Sequence, residues 1–161
     1  EDVILIYDKP GGEVIARFPM PRQRRDGSGY RSVADYFPPA GGEPQHSVIG
    51  VFAVKVEDLR EKEFDHKSYE FLLRHSLCAR LTDALASWMQ EQISVGHDVN
   101  VIRPAFGYPA CPSHALKKIA FDLLKAEERL GVHLTESYAV YPVTVICGLL
   151  VAHPQAEYFG V

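Results

Sequence analysis

Arg103, Tyr108, Cys111 and His114 carry side chains that do chemistry, and all four fall in one stretch, RPAFGYPACPSH, at residues 103–114. An arginine on stiff backbone can grip a carboxylate through two parallel N–H donors with little entropy left to lose. Pro104 and Pro109 restrict the chain beside it. Gly107 permits a sharp turn or the close approach of a ligand. Tyr108 adds an aromatic face and a hydroxyl. The stretch reads either as a ligand-binding loop built around Arg103 or as a structural connector. Cys111 and His114 admit other chemistries. Their spacing is half of a zinc site, but the chain has no HxH, no HExxH and no second Cys/His pair, so no metal is expected. They also read as a nucleophile and its base, because a helix N-terminus acidifies a thiol. No third orienting group follows from the spacing, and a cysteine that caps a helix is the competing reading. Asp83 lies on a long helical pattern, where it either pairs with Arg80 at i−3 or anchors a ligand ammonium group. Gly27-Ser28-Gly29 lacks a preceding strand and a GxGxxG continuation, and there is no phosphate-binding P-loop.

The elements that must position these residues come from 161 residues, the size of one ordinary domain. Hydrophobic residues make up 47% and charged residues 24%, a globular composition. A net charge of −4 opposes a general nucleic-acid binder, and the basic run at Arg22, Arg24 and Arg25 reads as a solvated loop. No apolar run approaches the ~20 residues of a membrane span. No secretory leader is expected, and three cysteines without a CxxC point to a reducing cytoplasm.

Residues 3–7 and 13–18 read as a strand hairpin around the turn at 8–12. The abrupt opening in a strand leads us to expect a fragment or one part of a larger assembly. Residues 20–46 read as loop with one helical turn near 32–36, and 48–56 as a buried strand. A long helix is expected over 67–95, with Leu73, Leu77, Leu81, Ala84 and Trp88 as its buried face and Gly96 as its cap. A second is expected over 112–130, with Pro112 in its first turn, Leu116, Ile119, Ala120, Leu123 and Leu124 buried, and Gly131 at its end. Residues 138–141 and 144–152 read as strands separated by a bend at Pro142. The order is not βαβ alternation. It predicts an α+β domain, a mostly antiparallel sheet with two long helices packed on it.

The stretch at 103–114 resembles the RPAxGYPACPxH signature of the activation domain of cobalamin-dependent methionine synthase. Two further blocks match that family in order: Leu134-Thr135-Glu136-Ser137-Tyr138-Ala139, then Cys147-Gly148 followed by Ala152-His153-Pro154 and Tyr158. Ile49-Gly50 with Phe52-Ala53-Val54 is similar to the family's strand ahead of its long helix. The similarity runs from about residue 2 to the C-terminus.

The resemblance implies a single C-shaped domain around a twisted antiparallel sheet. It implies a domain that binds S-adenosylmethionine and presents the methyl donor to cobalamin held by a neighbouring domain. There, one-electron reduction of cob(II)alamin by flavodoxin or a similar protein, coupled to methyl transfer, restores methylcobalamin. The enzyme context is the homocysteine methyltransferase of methionine biosynthesis, with no complete catalytic site in this domain alone. The cobalamin motif DxHxxG is absent, so the corrinoid would be carried by another domain or chain. The family domain has a substantial portion ahead of the hairpin, and many members continue past position 161, so a chain lacking both portions is expected.

Position by position, Arg103 falls on the family arginine that pairs with the ligand carboxylate, and Ala105 on a backbone contact. Tyr158 falls on a late tyrosine lining the site. Asp83 falls where the family often has a glutamate against the ligand. Tyr108 is implied both as a contact of S-adenosylmethionine and, with His114, as part of the side turned toward cobalamin. An alternative keeps the fold and loses the ligand: a docking module for a corrinoid protein that no longer binds S-adenosylmethionine.

Overall fold

Alternating side chains along residues 2–20 build the first element, an antiparallel hairpin of β1 (Asp2–Tyr7) and β2 (Val14–Met20). Ile4 faces Phe18, and both are buried. Asp8 closes the turn: its amide donates to the Glu13 carbonyl at 3.1 Å, and its Oδ1 accepts from the Glu13 amide at 2.9 Å. The computed structural model describes residues 2–25, 29–40, 47–60, 63–95 and 99–159. The Gly96 cap lies outside the described residues.

The stretch read from sequence as loop contains a second hairpin, β3 (Gln23–Arg25) with β4 (Gly29–Arg31), too short and polar to show a two-residue period. The helical turn near 32–36 is present as a 3-10 turn over Val33–Tyr36. A capping box starts it: Ser32 Oγ accepts from the Ala34 amide at 3.2 Å, and Asp35 Oδ2 from the Ser32 amide at 2.9 Å. Arg22 reaches the same carboxylate at 2.8 Å and Asp2 at 2.8 Å, tying turn to hairpin.

The central sheet has three antiparallel strands in the order β5 (Ile49–Lys55), β9 (Val145–His153), β6 (Asn100–Ile102). Alternation splits its side chains between two cores. Ile102, Cys147, Leu149 and Val151 join the larger core with Phe18, Met20, Leu116, Ala120 and Phe121. Phe52, Val101 and Leu150 face the other way, against Ala86, Met89 and Ile93 of α1 (Tyr69–Val95). The layers are therefore α1, sheet, then α2 (Leu116–Leu124) with the first hairpin. A fully buried side chain such as Leu149 contributes roughly 1.5–3 kcal/mol.

Two helix expectations need correction. The α1 helix does not bury Leu73, Leu77, Leu81, Ala84 and Trp88; all five are exposed. It packs through Cys78, Thr82 and Ala86, small residues that let the helix lie close on the sheet. Thr82 Oγ1 donates to the Cys78 carbonyl at 2.8 Å and also lies 3.2 Å from the Thr144 carbonyl. The second long helix is two short ones, α2 and α3 (Ala126–Leu130), because Lys125 adopts a left-handed conformation at φ 51°. Pro112 lies before the helix rather than in its first turn, and Gly131 ends α3 at φ 62°. Phe121 adds a buried ring to the α2 face that sequence periodicity named. A last small hairpin, β7 (His133–Leu134) with β8 (Val140–Tyr141), leads through Pro142 into β9. The architecture is α+β with antiparallel sheets, as the order of elements predicted. No helix among the described residues is long and apolar enough to cross a membrane.

Candidate ligand site at the end of the central sheet

The stretch after β6 is an extension of the strand. Ile102 pairs with Val151 and Ala105 with Gly148, the same register carried three residues further on each strand. The Leu149 amide donates to the Pro104 carbonyl at 3.0 Å, and the Phe106 amide to the Cys147 carbonyl at 3.4 Å. Pro104 stands opposite Leu149 and has no N–H to return, so only one of the two bonds of that ladder pair forms. Gly148 makes the approach possible. A Cβ there would stand 2.5 Å from the Pro104 carbonyl oxygen and 2.9 Å from Ala105 Cα.

Register places the Arg103 side chain on the sheet face that carries Phe52 and α1. Its guanidinium carbon lies 5.9 Å from the centre of the Phe52 ring. Nη2 reaches Asp83 Oδ1 at 3.5 Å and Ser87 Oγ at 3.4 Å, both longer than the ~2.8 Å of an engaged charge-assisted bond. Nε is buried and has no hydrogen-bond partner among the described residues. The side chain is 14% exposed, whereas Asp83 is 56% exposed. The Arg103 amide donates to the Tyr158 hydroxyl at 2.8 Å. Arg103, Asp83, Ala105 and Tyr158 therefore gather at one end of the sheet. Ser87, Phe52 and Gly148 join them, and the sequence reading missed all three. Ser87 had a signal, since it follows Asp83 by one helical turn. So did Gly148, a glycine inside a strand.

Tyr108 and His114 sit at the far end of the turn. Amides of Tyr108 and Cys111 close it, donating to the carbonyls of Ala105 at 3.3 Å and Tyr108 at 2.8 Å. Gly107 has φ +94°, and any Cβ there would overlap the His114 ring. Tyr108 stands 67% exposed on this braced turn. His114 Nδ1 lies 2.9 Å from Lys117 Nζ, which also donates to the Tyr138 carbonyl at 3.1 Å.

Cys111 is not an activated nucleophile. It is fully buried, and burial, reinforced by Cys147, pushes its thiol up to about 12. Burial likewise pushes Cys147 up to about 11. The two cysteines pack the core beneath the turn. Among the described residues no group of three His, Cys, Asp or Glu side chains is placed to hold a metal ion.

Among the described residues the arrangement offers a half-buried cation whose Nε has no hydrogen-bond partner, an exposed carboxylate within reach of it, and aromatic groups beside the cation. That set answers a small zwitterion. A solved structure shares the fold: the crystal structure of the MetH reactivation domain bound to AdoHcy, 29% identical, with a TM-score of 0.82. The match covers 98% of this chain and 56% of that one, so this chain spans little more than half of the solved relative. The sequence model for the activation domain of vitamin B12 dependent methionine synthase matches residues 1–161. The chain belongs to the family of vitamin B12 dependent methionine synthase activation domains.

Proposed function

We propose that the chain binds S-adenosylmethionine at the Arg103 end of the central sheet and supports reductive methylation of cob(II)alamin to methylcobalamin. The observation that carries this reading is the half-buried Arg103 side chain, with Nε unpartnered among the described residues and Nη2 only loosely held. The relative bound to AdoHcy points to the same ligand class.

In this reading Arg103 binds the ligand carboxylate through its free donors, and Asp83 the ammonium. The backbone at Ala105 and the Tyr158 ring line the remainder. Tyr108 and His114, on the braced turn, face the cobalamin of another domain or chain. When bound, S-adenosylmethionine would supply a methyl group to cobalamin reduced by one electron, leaving S-adenosylhomocysteine. The chain's own groups would orient the methyl donor and need move no proton. The electron comes from flavodoxin or a similar donor. The buried thiols of Cys78, Cys111 and Cys147 suit a reducing cytoplasm. The wider activity served is methyl transfer to homocysteine by a cobalamin-dependent methionine synthase.

The test is to mix the chain with a cob(II)alamin-loaded corrinoid protein, a one-electron reductant and S-adenosylmethionine, and to follow the visible spectrum. Methylcobalamin formation that requires the chain is expected. A stable complex with the corrinoid protein but no methylcobalamin and no S-adenosylmethionine uptake would replace this reading with a pure docking module.

A further inference from the structure

We propose that the outward apolar stripe of α1 is the interface of a twofold-symmetric dimer of this chain. The stripe consists of Leu73, Leu77, Leu81, Leu85 and Trp88, which are 55%, 56%, 47%, 40% and 56% exposed. Five such side chains leave on the order of 500 Å² of apolar surface open, near the upper end of what a monomer shows. A standard interface buries about 800 Å² per partner, and about 65% of a homodimer interface is apolar. The stripe supplies about that apolar share.

Its spacing selects a second copy as the occupant. An isologous contact requires a patch that complements itself under a twofold rotation. Read from either end, the stripe steps by three or four residues at a time. Two copies laid antiparallel with Leu81 against Leu81 bring Leu77 against Leu85, and Leu73 against Trp88. At the ends Glu70 of one copy approaches Glu91 of the other, and Arg74, 3.3 Å from Glu70, offsets them. Asp83 and Ser87 each neighbour a residue on this side, Ala84 and Trp88, and so lie about 100° around the helix. The dimer therefore leaves the Arg103 site open.

Disulfide trapping tests the register. The three native cysteines are buried, so an added surface cysteine reports alone. Leu81→Cys should cross-link readily to a species of twice the 18.0 kDa chain mass. Leu72→Cys is the control: Leu72 is 55% exposed but lies about half a turn around the helix from Leu81, and it should not cross-link. In sedimentation runs the unmodified chain should dimerise. Leu81→Glu, which sets two like charges on the twofold axis, should weaken that dimer at least 100-fold with unchanged helical circular dichroism. A chain that stays monomeric at every concentration, or equal cross-linking at positions 72 and 81, would overturn the proposal and leave the stripe to another polypeptide.

Discussion

The backbone amide of Arg103 donates to the hydroxyl of Tyr158 at 2.8 Å, joining residues 55 positions apart. That bond fixes the backbone from which the guanidinium projects. It also holds the Tyr158 ring beside the site. Tyr158→Phe keeps the ring and removes the acceptor. The loss of one hydrogen bond, about 1 kcal/mol, should weaken S-adenosylmethionine binding several-fold in calorimetry. Unchanged affinity would show that the bond does not set the position of Arg103.

Gly148→Ala tests the cradle. Its Cβ would meet backbone rather than a flexible side chain, at 2.5 Å from the Pro104 oxygen. Relief requires moving the Pro104 carbonyl off the Leu149 amide, now 3.0 Å away. Overpacking of this kind costs about 1–3 kcal/mol. The melting temperature should fall by several degrees, and ligand affinity should fall with it.

The buried thiols predict an alkaline limit. Both folded values, about 12 for Cys111 and about 11 for Cys147, lie above the ordinary 9.0. Thiols raised in this way stabilise the fold fully below their unfolded value, and the contribution is lost as pH rises toward 11 and 12. Denaturant midpoints should be flat from pH 7 to 8 and fall above about pH 9. At pH 8 iodoacetamide should leave Cys111 and Cys147 unlabelled in the folded chain and label them in denaturant.

Asp35 predicts the acid limb. Burial pushes its carboxyl up, but the Ser32 amide and the Arg22 guanidinium outweigh burial and hold it below the usual 3.8. Its contribution is full above that value and lost as pH falls through the lower folded value. Asp35→Asn should therefore shallow the fall in urea midpoint between about pH 4 and pH 2.

Sequence made the elements visible more clearly than their orientation. The period of α1 is plain, yet Leu73, Leu77, Leu81 and Trp88 turned out to point away from the sheet. Periodicity marks an apolar face without saying what covers it, and the face that packs carries Cys78, Thr82 and Ala86. β6 escaped notice because three residues ahead of a proline show no alternation. Lys125 breaks the second helix through its own φ, which no motif announces. At the site, the position-by-position reading brought Arg103, Asp83, Ala105, Tyr108 and Tyr158 forward, and the fold gathers all of them but Tyr108, which stands exposed at the far end of the turn. Phe52 became legible only when strand register set Arg103 against α1, whereas Ser87 could have been read from its place one helical turn after Asp83.

Calorimetric titration of S-adenosylmethionine into the chain and into Arg103→Ala tests the central claim most directly. Removing a charged donor from a buried carboxylate pair costs about 1.5–3 kcal/mol, so the variant should bind at least about tenfold more weakly. Arg103→Lys should recover little, because it lacks the planar fork. Equal affinity for the unmodified chain and Arg103→Ala would contradict the assignment of this site.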